Sequence, residues 1–99
     1  MSSSIRIIAC RQGKAATIET LGAGLKAMQE FVGGYIERVP LDPTTALWCN
    51  EEGMLRNLPT QLIFGRVFYG DCFIAASNLD GELVDFTDKQ LKHWMGKVQ

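Results

Sequence analysis

Leu21-Gly22-Ala23-Gly24-Leu25-Lys26-Ala27-Met28-Gln29-Glu30-Phe31-Val32-Gly33-Gly34-Tyr35-Ile36-Glu37-Arg38-Val39-Pro40-Leu41 changes its period in the middle. Leu21, Leu25, Met28, Phe31 and Val32 recur at offsets of four, seven, ten and eleven, one face of a helix. Lys26, Gln29 and Glu30 fall on the other side. This predicts a helix over Leu21–Val32, with Thr20 as N-cap. Gly33-Gly34 supplies the stop, because glycine tolerates the left-handed conformation that ends helices. Gly22 and Gly24 weaken the first turn, so the start can slip by a few residues. From Tyr35 the alternation is that of a strand, with the Ile36 face the better candidate for burial, although Val39 and Leu41 blur the pattern.

Outward from this switch the signals are those of hairpins. Asp42-Pro43-Thr44-Thr45 is a turn, since proline presets φ and Asp accepts local bonds. It joins Tyr35–Leu41 to a short apolar strand, Ala46–Cys49, and sets Tyr35–Val39 beside Ala46–Asn50. Toward the N-terminus, Ile5–Cys10 and Ala15–Thr20 read as strands about a Gln12-Gly13-Lys14 turn. Downstream, Leu62–Phe64 fits a helical turn or a short strand equally well. Val67–Tyr69 follows Gly65-Arg66, and Gly70-Asp71 marks a turn or bulge. Cys72–Ala76 and Glu82–Phe86 flank the hairpin turn Asn78-Leu79-Asp80-Gly81. Thr87-Asp88-Lys89-Gln90 matches a capping box and opens a second helix to about Gly96, with Leu91, Trp94, Met95 and Val98 as its apolar stripe. The expected fold is therefore α+β: a mainly antiparallel sheet with two substantial helices packed on it. Residues 1–99 form one domain, with residues 1–4 a flexible N-terminus.

Composition bounds the function. The chain has 99 residues, 46% of them hydrophobic, and 10 Lys+Arg against 11 Asp+Glu. A net charge of −1, with scattered basic residues, argues against a nucleic-acid binder, which clusters Lys and Arg against phosphates. Lys89, Lys92 and Lys97 concentrate near the C-terminus, where they complement a helix dipole. No apolar run approaches the ~20 residues needed to cross a membrane. The N-terminus lacks a basic region followed by an apolar core, so a cytoplasmic location is expected. Cys10, Cys49 and Cys72 are odd in number, widely spaced and set in apolar surroundings, which suits small buried hydrophobes better than a disulfide framework or a nucleophile.

Groups that could carry chemistry are few. His93 is the one histidine, with no Cys or carboxylate at ligand spacing. Gly22-Ala23-Gly24 lacks the lysine of a phosphate loop. Glu51 and Glu52 are adjacent, and adjacent strand residues point to opposite faces, so they pair as acid and base only if a turn brings them together. No metal or cofactor is expected. A binding role suits the residues better. Tyr35, Glu37, Trp48, Asn50, Glu51 and Glu52 lie on two segments that the hairpin sets side by side. Trp48 alternates with Leu47 and Cys49: on a solvent face it is an interface anchor, on a core face it is packing.

One stretch carries a resemblance. Met28-Gln29-Glu30-Phe31-Val32-Gly33-Gly34-Tyr35-Ile36-Glu37, Val39-Pro40-Leu41, Asn50-Glu51-Glu52-Gly53 and Leu58-Pro59, with Gly70-Asp71, Gly81-Glu82 and Thr87-Asp88 later, resemble a small domain-of-unknown-function family. That family is found in phages, plasmids and other bacterial mobile elements. The likeness spans roughly Ile5 to Met95; Trp48 and Cys49 depart from it, standing where aliphatic residues are more usual. The family brings no assigned chemistry. The resemblance implies a non-enzymatic accessory protein of a phage or mobile element. Its expected partner is a host protein or a small nucleotide-like ligand, with an anti-defence role and an oligomer as options. The alternatives are a small hydrolase-like enzyme using Glu51/Glu52 and a transcription or nucleic-acid regulator. A phosphate-bearing signal would require Arg38, Arg56 and Arg66 to converge.

Overall fold

The computed structural model describes residues 4–98. Its elements, in chain order, are β1 (Ser4–Cys10), β2 (Thr17–Gly22), α1 (Leu25–Val32), β3 (Ile36–Asp42), β4 (Thr45–Asn50), β5 (Thr60–Ile63), β6 (Arg66–Tyr69), β7 (Cys72–Ser77), β8 (Leu83–Val84) and α2 (Asp88–Val98). The flexibility expected at residues 1–3 lies outside the described residues. Ser4 already belongs to β1, opposite Gly22. The architecture is the expected α+β one.

The larger sheet runs β2-β1-β7-β4-β3, with β8 also paired to β7, and every pairing is antiparallel. Its two central strands, β4 and β7, are buried at every position. That requires cover on both faces, and side-chain parity shows it. Ile7, Ala9, Ala46, Trp48, Phe73 and Ala75 pack with Met28 and Val32 of α1. Ile8, Cys10, Leu47, Cys49, Cys72 and Ile74 pack with Leu91 and Trp94 of α2 and with Ile63 and Phe68 of the β5–β6 hairpin. The period-two geometry of the strands thus divides one apolar sequence between two cores.

α1 begins later than its periodicity predicts. Leu21 belongs to β2, paired with Ile5, and Gly24 stands at the N-cap in an extended conformation without a side-chain cap, so Thr20 caps nothing. Leu21 reaches the α1 core from a strand instead of a helix, which is why it fitted the helical stripe. The stop is as read: Gly33 takes φ 79°, and its amide and that of Gly34 both donate to Gln29 O. The capping box of α2 is formed in both directions, Gln90 N to Thr87 Oγ1 at 3.1 Å and Thr87 N to Gln90 Oε1 at 2.9 Å.

Leu62–Phe64, ambiguous in the sequence, ends a strand and enters a hairpin. Phe64 (φ 55°) and Gly65 (φ 73°) form its two-residue loop, Ile63 facing Arg66. Two successive positive φ values match the twist of the flanking strands. A phenylalanine is unusual there; its ring packs edge-on against Trp94 at 5.8 Å, holding the turn on α2.

Candidate functional site

β3 and β4 pair with Ile36 opposite Asn50, Glu37 opposite Cys49 and Val39 opposite Leu47, the expected hairpin. The Asp42 carboxylate accepts from Thr44 N at 2.8 Å and closes its turn. The pairing continues one rung beyond the strands, with Glu51 N donating to Tyr35 O at 2.8 Å. The chain then winds through a tight turn. Glu52 N donates to Asn50 Oδ1, Gly53 N to Asn50 O and Arg56 N to Glu52 O. Gly53 packs so closely that a Cβ there would lie 2.7 Å from Tyr69 Cβ, which locks the turn onto β6.

Between the end of the β3–β4 hairpin, this turn and β6 lies a cleft of about 240 Å³. Glu37, Glu51 and Arg66 supply its charges. Cys49, Met54 and Val67 line the apolar part. The Arg66 guanidinium lies over the Phe68 ring, 5.4 Å from its centroid. Met54 and Val67 are 67% and 55% exposed. Leu55, farther along the turn, and Leu62, opposite Val67 on the hairpin, are exposed as well.

Of the six candidate residues, Glu37, Asn50 and Glu51 meet at this cleft. Asn50 is buried, and its side chain leaves for the other face of the sheet, where Nδ2 donates to Val32 O at 3.1 Å. Tyr35 and Glu52 are exposed but outside the lining. Trp48 is corrected: it is 3% exposed, stacked on its cross-strand neighbour Phe73 at 5.6 Å, and belongs to the α1 core. An even position in β4 faces α1, so the face carrying Trp48 is interior. Met54, Arg66, Val67 and Phe68 were missed as site residues. The available signal was Gly65 between two short apolar alternating runs, the mark of a hairpin that would carry Arg66 and Val67 to the Glu51 turn.

The three arginines considered for a phosphate do not converge. Arg38 lies over Trp48 on the α1 face at 5.9 Å. Arg56 Nη1 donates to Gly33 O at 2.9 Å, and Arg66 alone reaches the cleft. Nor do Glu51 and Glu52 share it, since only Glu51 is in the lining. Burial pushes the Cys49 thiol up to about 11, with Glu37 adding to the effect and Arg66 opposing it. The thiol is therefore protonated at neutral pH, and a resting thiolate nucleophile is not what the cleft holds.

Residues 5–99 match the family described as a domain of unknown function (DUF3846), so the chain belongs to that family. No curated protein and no solved structure matches it.

Proposed function

We propose that this member of a family without assigned chemistry is a binding protein rather than an enzyme, and that it docks a partner protein on the cleft between Glu37, Glu51 and β6. One observation carries the reading: exposed Met54 and Val67 line the cleft together with exposed Glu37, Glu51 and Arg66, and Leu55 and Leu62 are exposed nearby. Exposed apolar side chains grouped beside charged ones are the composition of an interaction surface. The resemblance to phage and plasmid proteins supports a setting: an accessory protein in the host cytoplasm, its partner a host protein, with an anti-defence role. A small nucleotide-like ligand is less well supported. The cleft is smaller than the roughly 300–1,000 Å³ of ordinary ligand sites, and one arginine is a poor clamp for phosphates. The scattered basic residues likewise favour a protein over nucleic acid.

Affinity capture from host lysate, with nucleotide extraction of the purified chain alongside, tests the proposal. The expected result is a host protein retained by the native chain and lost by Glu51→Ala/Val67→Asp, with an unchanged circular dichroism spectrum. Capture that survives both substitutions removes the cleft from consideration. A nucleotide co-purifying with the chain would favour the small-ligand reading.

A further inference from the structure

Cys10, Cys72 and Cys49 stand in a row across the adjacent strands β1, β7 and β4. Cys10 is opposite Cys72. Trp48 is opposite Phe73, so the next rung of the same antiparallel register sets Cys49 opposite Cys72. All three side chains enter the α2-side core, and all three thiols are free.

The two rungs are not equivalent. Ser77 N donates to Thr44 O at 2.9 Å, which makes that rung of β4–β7 hydrogen-bonded. Such rungs alternate with open ones in an antiparallel pair. Counting along the register makes Trp48/Phe73 hydrogen-bonded and Cys49/Cys72 open. The bond from Glu51 N to Tyr35 O gives the same answer from the other side, directing the peptide groups of Glu51 and Cys49 toward β3. Those of Cys72 then point to β1, and Cys10/Cys72 is a hydrogen-bonded rung. Cβ atoms approach more closely on open rungs, toward about 4.5 Å, the upper end of the roughly 3.5–4.5 Å a disulfide spans. Geometry therefore prefers Cys49 to Cys10 as the partner of Cys72.

Access assigns the roles within that pair. Cys49 lines the cleft beside Glu37 and Arg66, whereas Cys72 has no exposed surface. We propose that Cys49 and Cys72 are a redox pair in which the cleft-lining thiol takes a peroxide and the buried one resolves it to a cross-strand disulfide. The Cys49 thiolate attacks one peroxide oxygen; the O–O bond breaks, hydroxide leaves, and a sulfenic acid forms on Cys49 Sγ. The Cys72 thiol gives up its proton and attacks that sulfur, and the sulfenic oxygen leaves as water. The two sulfurs lose two electrons in all, and peroxide becomes two waters. Burial holds the Cys49 thiol near 11 and pushes the Cys72 thiol higher still, so both steps are slow at neutral pH, and the first accelerates about tenfold per pH unit.

The test is oxidation of the native chain with hydrogen peroxide, followed by intact mass, thiol titration under denaturing conditions and peptide mapping. Expected are loss of the mass of two hydrogens, a fall in free thiols from the three present to one, a crosslink joining the Cys49 and Cys72 peptides, and reversal by a thiol reductant. Cys10→Ser should leave the crosslink intact and Cys49→Ser should abolish it. A crosslink through Cys10, three thiols remaining, or sulfinic acid on Cys49 with Cys72 untouched would each overturn the proposal. The native chain's peptide map decides this even if a serine variant fails to fold.

Discussion

The side-chain amide of Asn50 joins two segments that are distant in the chain. Nδ2 donates to Val32 O at the end of α1, and Oδ1 accepts from Glu52 N at 2.8 Å. The group is almost fully buried, and a Cβ on Gly34 would come within 2.9 Å of it. Removing it leaves Glu52 N and Val32 O short of a partner in a place water reaches poorly. Asn50→Ala should therefore destabilise the chain by about 1–3 kcal/mol, read from urea unfolding. Glu51→Ala/Glu52→Ala should stay within about ±0.5 kcal/mol, as exposed substitutions usually do. Equal effects from the two would mean that Asn50 is not a structural bridge. Asn50 was legible as a polar residue ending an apolar strand. The direction of its amide was not, because its acceptor is 18 residues earlier and is created by the end of a helix. Trp48 was illegible for a related reason: alternation separates two faces of a strand without saying that both are covered, and β4 is covered on both.

Among the elements, α2 was the most legible, because its start is written in four consecutive residues. Thr87 and Gln90 exchange bonds with each other's amides, so Thr87→Ala removes the acceptor for Gln90 N. A loss of about 1 kcal/mol is expected, with helix content preserved. Thr87→Ser should restore most of it, and no difference between the two variants would show that the cap contributes little. α1 was less legible, since Leu21 satisfies a helical stripe and a strand equally and Gly22-Ala23-Gly24 says only that something ends there. Pairing with Ile5 decides for the strand, and that contact is long-range. The same holds at β5–β6: four-residue strands carry too few alternations to be recognised alone, and the turn sequence Phe64-Gly65 lacks the usual Asn or Asp. β6 supplies Arg66, Val67, Phe68 and Tyr69 to the cleft, none of them legible as site residues in the sequence, whereas Glu37, Asn50 and Glu51, from β3, β4 and the turn after it, were.

At the scale of the whole molecule, two layers pack on the sheet, and charge ties the N-terminal strand to what it meets late in the chain. Arg6 Nη2 bonds the Asp85 carboxylate at 3.1 Å and the Phe86 carbonyl, and Nη1 bonds Asp88 at 2.6 Å, so β1 holds the start of α2. Arg6 N also donates to Asp85 Oδ1 at 2.6 Å. On the far side of β1, Arg11 bridges Glu19 of β2 at 2.9 Å and approaches Asp71 at 3.7 Å, while its guanidinium lies over Phe31 of α1 at 4.4 Å. The hydrogen bond from the Arg6 side chain, and then that from its amide, hold the Asp85 carboxyl below its ordinary value; Arg11 does the same for Glu19. The sign follows. A carboxylate with a depressed folded pKa binds its proton more readily unfolded, so its stabilisation is complete above the unfolded value, about 4, and is lost as pH falls through the folded one. Stability should thus decline on acidification below that range. Because the Asp85 side chain is half exposed, at 51%, solvent screens the pair and the contribution is small. Asp85→Asn isolates it: the variant should be less stable than the native chain near neutral pH, converge with it in acid, and show a smaller difference at high salt. Urea midpoints measured across that pH range at two salt concentrations decide the matter. Parallel curves that never converge would show that Asp85 contributes through shape and neutral hydrogen bonding, and that its charge does not fasten α2 to β1.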